Sequence, residues 1–145
     1  MAEYSVQSAY DPSSNLRLLR IAGDDISDAI LLGLGRADPT ASLIPTAKNL
    51  VDIREWRYQG SVLEVESQAE LLSQLFEQGM GVGYAWVTNP TIHGLTLVFR
   101  RHLRRRGIGD PQPFTTLDGA LNHLDVTMAD YLRTEAALET IPPVG

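Results

Sequence analysis

The fold is decided by residues 82–107, VGYAWVTNPTIHGLTLVFRRHLRRRG, in which a strand, a turn and a helix follow one another. Residues 82–87 are apolar or small and predict a buried strand. Asn89-Pro90 then marks a helix start, because Asn caps a helix well and Pro suits the first helical position. The helix is predicted to run to about Arg106 and to end at Gly107.

The same alternation of strands and helices extends along the chain in both directions. Residues 4–10 and 16–22 predict two strands joined by the turn residues DPSSN, and residues 49–54, NLVDIR, predict another buried strand. Helical spacing predicts helices from Asp24-Asp25 to about Arg36 and from Val65 to Gly79. Residues 112–114 predict a short strand.

Two helices are predicted near the end of the sequence from their capping signals. Thr115 with Asp118 indicates one capping box, and Thr127 with Asp130 indicates the next. The order is therefore β-β-α-β-α-β-α-(β)-α plus a C-terminal helix, which predicts an α/β fold with a mixed, mostly parallel sheet packed with α-helices. We expect one α/β domain over residues 1–125, with residues 126–145 as a helical extension and tail of that domain.

Composition excludes several classes of function. The 145 residues include no cysteine, which removes disulfides, thiolate catalysis and cysteine zinc sites. The N-terminus does not resemble a signal peptide and no apolar stretch reaches the roughly 20 residues of a membrane span, so we expect a cytoplasmic protein without stable membrane insertion. The net charge is −6, and outside residues 98–107 it is −11, which argues against a nucleic-acid partner.

Three segments resemble the STAS-like domains of the SpoIIAA-like superfamily, which are related to anti-sigma-factor antagonists. They are NLVDIREW (residues 49–56), GYAWVTNPTIHGLTLVF (residues 83–99) and PQPFTTLDGALNHL (residues 111–124). With the order of elements, the resemblance covers residues 16–124. It implies a STAS-like fold and a bacterial regulatory module that acts through protein contacts or holds a small or lipid-like ligand.

The sequence departs from this family at three positions. Phosphorylatable antagonists carry Asp-Ser-Ser/Thr-Gly, whereas Ser61 has no Asp directly before it and no Gly after it. Leu97 stands where many relatives have Arg, and His123 stands where many have Trp. The resemblance therefore does not imply that Ser61 is phosphorylated.

The Pro90 helix predicts a basic surface, which we call the arginine face: Leu97, Arg100, Arg101, Arg104 and Arg105. At 100° per residue, Ile92, Leu95, Phe99 and Leu103 form a core stripe, and the arginines fall on the opposite arc with Leu97 and His93. Cations near a helix C-terminus are favoured by the helix dipole, so a merely solvated face explains the cluster. The alternative is a surface that binds an acidic partner, and exposed Leu97 favours it.

A second candidate site lies where parallel strands end, because ligands of open α/β sheets bind beyond the carboxyl ends of strands. There we expect Arg54, Trp56, Ser61, Asn89 and His93 to line a site for a small anion or a partner. The alternative is structural, with Arg54 paired to a nearby acid and Trp56 covering the edge of the core.

Three functional hypotheses follow from these residues. The first is a non-enzymatic regulatory or binding module with a protein partner or a small anionic or lipid-like ligand, and without cofactor. The second is a small hydrolase or transferase that uses Ser61 and His93 with Asp52, although no nucleophile-elbow motif is present. The third is a homo-oligomer, in its simplest form a dimer, whose arginine face meets the acidic body of a neighbour. The spacing of the three histidines predicts no metal site.

Overall fold

The fold is known from a computed structural model, which describes residues 4–24, 47–57, 67, 85–105, 107 and 112–140. The elements in chain order are β1 (Tyr4–Asp11), β2 (Leu16–Asp24), β3 (Lys48–Asp52), β4 (Trp56–Arg57), β5 (Ala85–Val87), α1 (His93–Arg105), β6 (Gln112–Phe114), α2 (Leu117–Leu124), α3 (Met128–Ala136) and β7 (Glu139–Thr140). The helices predicted over residues 26–36 and 65–79 lie outside the described residues, apart from helical Ser67.

The described strands form one mixed sheet in the order β6-β5-β3-β2-β1-β7, with β4 paired to β2. Strands β2, β3, β5 and β6 run parallel, whereas β1 is antiparallel to β2 and β7 is antiparallel to β1. β3 and β4 lie along the same side of β2, so they form one interrupted strand. The predicted α/β class with a mostly parallel sheet is confirmed.

The hairpin between β1 and β2 follows from its turn residues. Asn15 has a φ of 57°, in the left-handed region that asparagine tolerates better than most residues. Its side-chain oxygen accepts a hydrogen bond from the Tyr10 hydroxyl at 2.8 Å. The Asp11 carboxylate accepts from the Ser13 and Ser14 hydroxyls, so local hydrogen bonds fix the turn.

Helices cover both faces of the sheet. On one face, the α2 and α3 side chains Leu121 and Tyr131 pack against strand residues such as Leu18. On the other face, Trp86 of β5 packs against Phe99 of α1, with ring centroids 5.8 Å apart. Burial on both faces explains why adjacent residues are buried and apolar in the central strands, as at Leu18-Leu19 of β2 and Leu50-Val51 of β3.

Two helix starts differ from the sequence prediction. The Pro90 helix is regular only from His93, because residues 90–92 form a turn in which the Asn89 side chain accepts from the Ile92 N–H at 3.0 Å. The N-cap of α2 is Thr116 and not Thr115, since Thr116 is the extended residue next to Leu117 and accepts from the Gly119 N–H.

The other helix boundaries agree with the sequence prediction, and the structure adds two short strands. The capping box of Thr127 with Asp130 is confirmed at the start of α3. Gly107 has a φ of 65° and donates its N–H to the Arg104 carbonyl, as expected of a glycine that ends a helix. The two-residue strands β4 and β7 were not predicted, because two residues carry no measurable periodicity.

Candidate functional site

The rotation of α1 is fixed by its buried side. Ile92 just before the helix and Phe99 within it are 1% and 2% exposed, and Phe99 meets Trp86 of the sheet. Thr96 is also buried, and its hydroxyl donates to the His93 carbonyl at 2.6 Å. Of the apolar stripe predicted from helical spacing, Ile92 and Phe99 are therefore buried and Leu95 is half-buried, whereas the Leu103 side chain lies outside the described residues.

The arginine face points away from this packing. Leu97 is 45% exposed, Arg101, Arg104 and Arg105 are exposed, and Arg100 is half-buried. The five side chains line one shallow groove of about 500 Å³. The structure thus brings all five predicted residues to one surface and places an exposed leucine among four cations.

The position of the cations along α1 has an electrostatic consequence. Arg104 and Arg105 lie in the last turn, where the carbonyl ends of the helix favour positive charge. Their charges are therefore compatible with a stable helix. The helix dipole does not explain why Leu97, an uncharged residue in the first half of the helix, is exposed.

The second candidate site is dominated by Asp52, at the end of β3. Its Oδ1 accepts from the backbone N–H and Nε of Arg54 at 3.1 and 3.0 Å, and its Oδ2 accepts from Arg54 Nη2 at 2.9 Å and from Arg20 Nε at 3.1 Å. Burial acts to raise the pKa of Asp52, but the hydrogen bonds and charges of Arg54 and Arg20 outweigh it and lower the pKa. Four donors match the full acceptor capacity of a carboxylate.

The same network ties α3 to the sheet. Arg20 Nη2 donates to the Tyr131 hydroxyl at 2.8 Å and to Glu135 Oε2 at 2.6 Å, and the Tyr131 hydroxyl donates to Glu135 at 2.9 Å. Burial, followed by the hydrogen bond to Glu135, raises the pKa of Tyr131. The hydrogen bond from Arg20 lowers the pKa of Glu135.

The surroundings of Arg54 and Trp56 match the structural alternative to a ligand site that we derived from the sequence. Arg54 pairs with the local acid Asp52, and Trp56 is buried with 7% of its surface exposed. Arg20, Tyr131 and Glu135 were not predicted at this site. Register with β3 places Arg20 opposite Asp52, but no local sequence signal joins either residue to α3.

Asn89 joins the interrupted strand to the start of α1. Its Nδ2 donates to the carbonyls of Arg54 and Trp56 at 3.0 and 3.3 Å, and its Oδ1 accepts from the Ile92 N–H. The side chain thus replaces sheet hydrogen bonds where β3 and β4 are interrupted. Arg54, Trp56 and Asn89 are brought together as predicted, and the side chains of Arg54 and Asn89 donate hydrogen bonds to the protein itself.

His93 is held by a residue that the sequence did not indicate. Its Nδ1 lies 2.8 Å from the Thr88 hydroxyl, and Thr88 in turn donates to the Phe114 carbonyl. Since both oxygens of Asp52 are occupied by arginines, no Asp52–His93 contact orients the imidazole. Ser61 lies outside the described residues.

The described part of the chain contains neither a metal-binding cluster nor a membrane-spanning helix. Within it, no group of three or more His, Asp or Glu side chains is arranged to hold a metal ion. Among the helices described, none has the length and apolar character required to cross a membrane.

Comparisons with known proteins show similarity at the level of structure. No family model matches the chain, and no curated protein matches it. Among solved structures, the chain is similar to an anti-sigma factor antagonist from Mycobacterium paratuberculosis. The two share 15% identity over 85% of this chain and 95% of that chain, with a TM-score of 0.48.

Proposed function

We propose that this chain is a non-enzymatic regulatory module that binds an acidic protein surface through its arginine face. The observation that carries the proposal is Leu97, which is 45% exposed within a groove lined by four arginines. Protein interfaces combine an apolar centre with surrounding polar groups and are enriched in arginine. A face that met only water would gain nothing from an exposed leucine at this position.

Charge distribution supports a protein partner over a nucleic acid. The body outside residues 98–107 carries −11, so a long polyanion that bound the arginine face would also be repelled by the rest of the molecule. A folded protein with one acidic patch meets only the local positive potential. The absence of cysteine is compatible with the reducing cytoplasm, which we propose as the compartment.

The carboxyl ends of the strands have less support as a ligand or catalytic site. Arg54 is engaged by Asp52, and the Asn89 amide is engaged by backbone groups. A bound anion would have to compete with these hydrogen bonds. In the alternative of hydrolysis by Ser61 and His93, Asp52 would orient the imidazole, but both oxygens of Asp52 accept hydrogen bonds from arginines.

Fluorescence anisotropy with three labelled probes of equal negative charge tests the proposal. The probes are a Glu-Leu peptide, a Glu-Ser peptide and a single-stranded DNA. We expect the Glu-Leu peptide to bind most tightly, because it offers both carboxylates for the arginines and apolar contact for Leu97. Equal or tighter binding of the DNA would contradict the proposal.

Two variants with the same change in charge locate the contact. Arg101→Glu/Arg105→Glu should weaken binding of the Glu-Leu peptide by roughly tenfold or more, because two attractions of about 0.2–1 kcal/mol each become repulsions. The control, Lys48→Glu/Arg57→Glu, alters cations on β3 and β4 and should weaken binding much less. An equal loss in both variants would show a non-specific charge effect and overturn the assignment.

A further inference from the structure

A second groove lies on the opposite face of the sheet, where α2 meets α3. We call it the acidic groove. It has a volume of about 440 Å³ and is lined by Asp118, Asn122, Asp125 and Met128 among others. Asp118 and Asp125 are exposed, and Met128 is 41% exposed. At its rim, Lys48 Nζ donates to the Asp125 carbonyl at 3.2 Å.

The acidic groove and the arginine face are complementary in charge and in apolar character. One carries two carboxylates beside an exposed methionine, and the other carries four guanidinium groups around an exposed leucine. Leu132, 54% exposed, lies one helical turn after Met128 and extends the apolar surface along α3. Each surface therefore presents what the other would bind.

One molecule cannot bring these two surfaces together. α1 packs on the sheet face that carries Trp86, whereas α2 and α3 pack on the face that carries Leu18. The sheet separates them, so contact between the grooves requires two molecules. Two different surfaces in contact make a heterologous interface, which produces rings or open chains of molecules.

Accordingly, and resting on the proposed function of the arginine face, we propose that the partner is a second copy of this chain. The arginine face of one copy binds the acidic groove of the next, with Leu97 against Met128. Exposed ion pairs are weak and screened by salt, so the association is reversible and strongest at low ionic strength. Contact between Leu97 and Met128 preserves part of the association when salt is added.

Sedimentation velocity over a concentration series in 50 mM and 500 mM NaCl tests this assembly. The wild-type sedimentation coefficient should rise with concentration at low salt and rise much less at high salt. Arg101→Glu/Arg105→Glu and Asp118→Lys/Asp125→Asn should each weaken association by roughly tenfold or more, because each removes the charge of one surface. Circular dichroism confirms that both variants are folded.

Mixing the two variants provides the decisive result. The first retains an intact acidic groove and the second retains an intact arginine face, so an equimolar mixture should associate although neither variant does so alone. A mixture that stays monomeric, or a wild-type protein that is monomeric at all concentrations in 50 mM NaCl, would overturn self-association. If the wild type then still binds the Glu-Leu peptide, the proposed function stands and only the identity of the partner fails.

Discussion

Replacing Asp52 by Asn perturbs the charged network between the sheet and α3 without changing the size of the side chain. Asp52 accepts four hydrogen bonds from Arg20 and Arg54, and its side chain is only 5% exposed. The Asn amide retains one acceptor oxygen and turns its NH2 group toward arginine donors. Two charge-assisted hydrogen bonds are lost, and both guanidinium groups lose their buried counter-charge.

The expected cost follows from the exposure of the partners. Removing one member of a buried ion pair costs about 3–5 kcal/mol. The Arg20 and Arg54 side chains are 22% and 36% exposed, so water recovers part of the loss. We therefore expect the free energy of unfolding to fall by about 3 kcal/mol. With an unfolding entropy of about 2.1 cal/mol/K per residue, this lowers Tm by about 10 °C.

Urea denaturation followed by circular dichroism measures this change. The matched control is Asp118→Asn, which removes an exposed carboxylate from the first turn of α2 and should cost no more than about 1 kcal/mol. If Asp52→Asn costs no more than this control, the network contributes nothing to the attachment of α3, which would contradict the prediction.

Three further predictions use the same measurement of unfolding free energy. Thr116→Ala should cost about 1 kcal/mol and Thr115→Ala close to nothing, because Thr116 is the N-cap; equal costs would contradict that assignment. Asn89→Asp keeps the oxygen that caps Ile92 but loses both donors, so it should cost about 1–3 kcal/mol, and an unchanged stability would be inconsistent with its bridging role. Asp52 and Glu135 have lowered pKa values, so the stability they contribute is present above their unfolded pKa values of about 4 and is lost as pH falls further. The decline in acid should be shallower in Asp52→Asn, and a parallel decline would refute this account.

Much of the fold could be predicted because its elements carry local signals. The turn between β1 and β2, the capping box at Thr127 and the helix end at Gly107 each depend on a few adjacent residues. Short strands carry too few residues for a period, so β4 and β7 were missed. The shift from Thr115 to Thr116 reflects the ambiguity of two adjacent threonines, which only the position of the preceding strand resolves.

The candidate sites were predictable to different degrees. Helical phase alone places Leu97 and the arginines on one face, because the phase of α1 is set by the apolar stripe of its own sequence. The network of Arg20, Asp52 and Tyr131 joins residues up to 111 positions apart, and no local pattern predicts it. The acidic groove likewise forms only where two helices meet.

The central claim is that the arginine face, and not the carboxyl ends of the strands, makes the functional contact. Backbone amide chemical shifts recorded while the Glu-Leu peptide is added to the 15N-labelled protein test it most directly. We expect the largest changes to fall on residues 97–105. Largest changes at Arg54, Asn89 and His93 would contradict it and would place binding at the carboxyl ends of the strands.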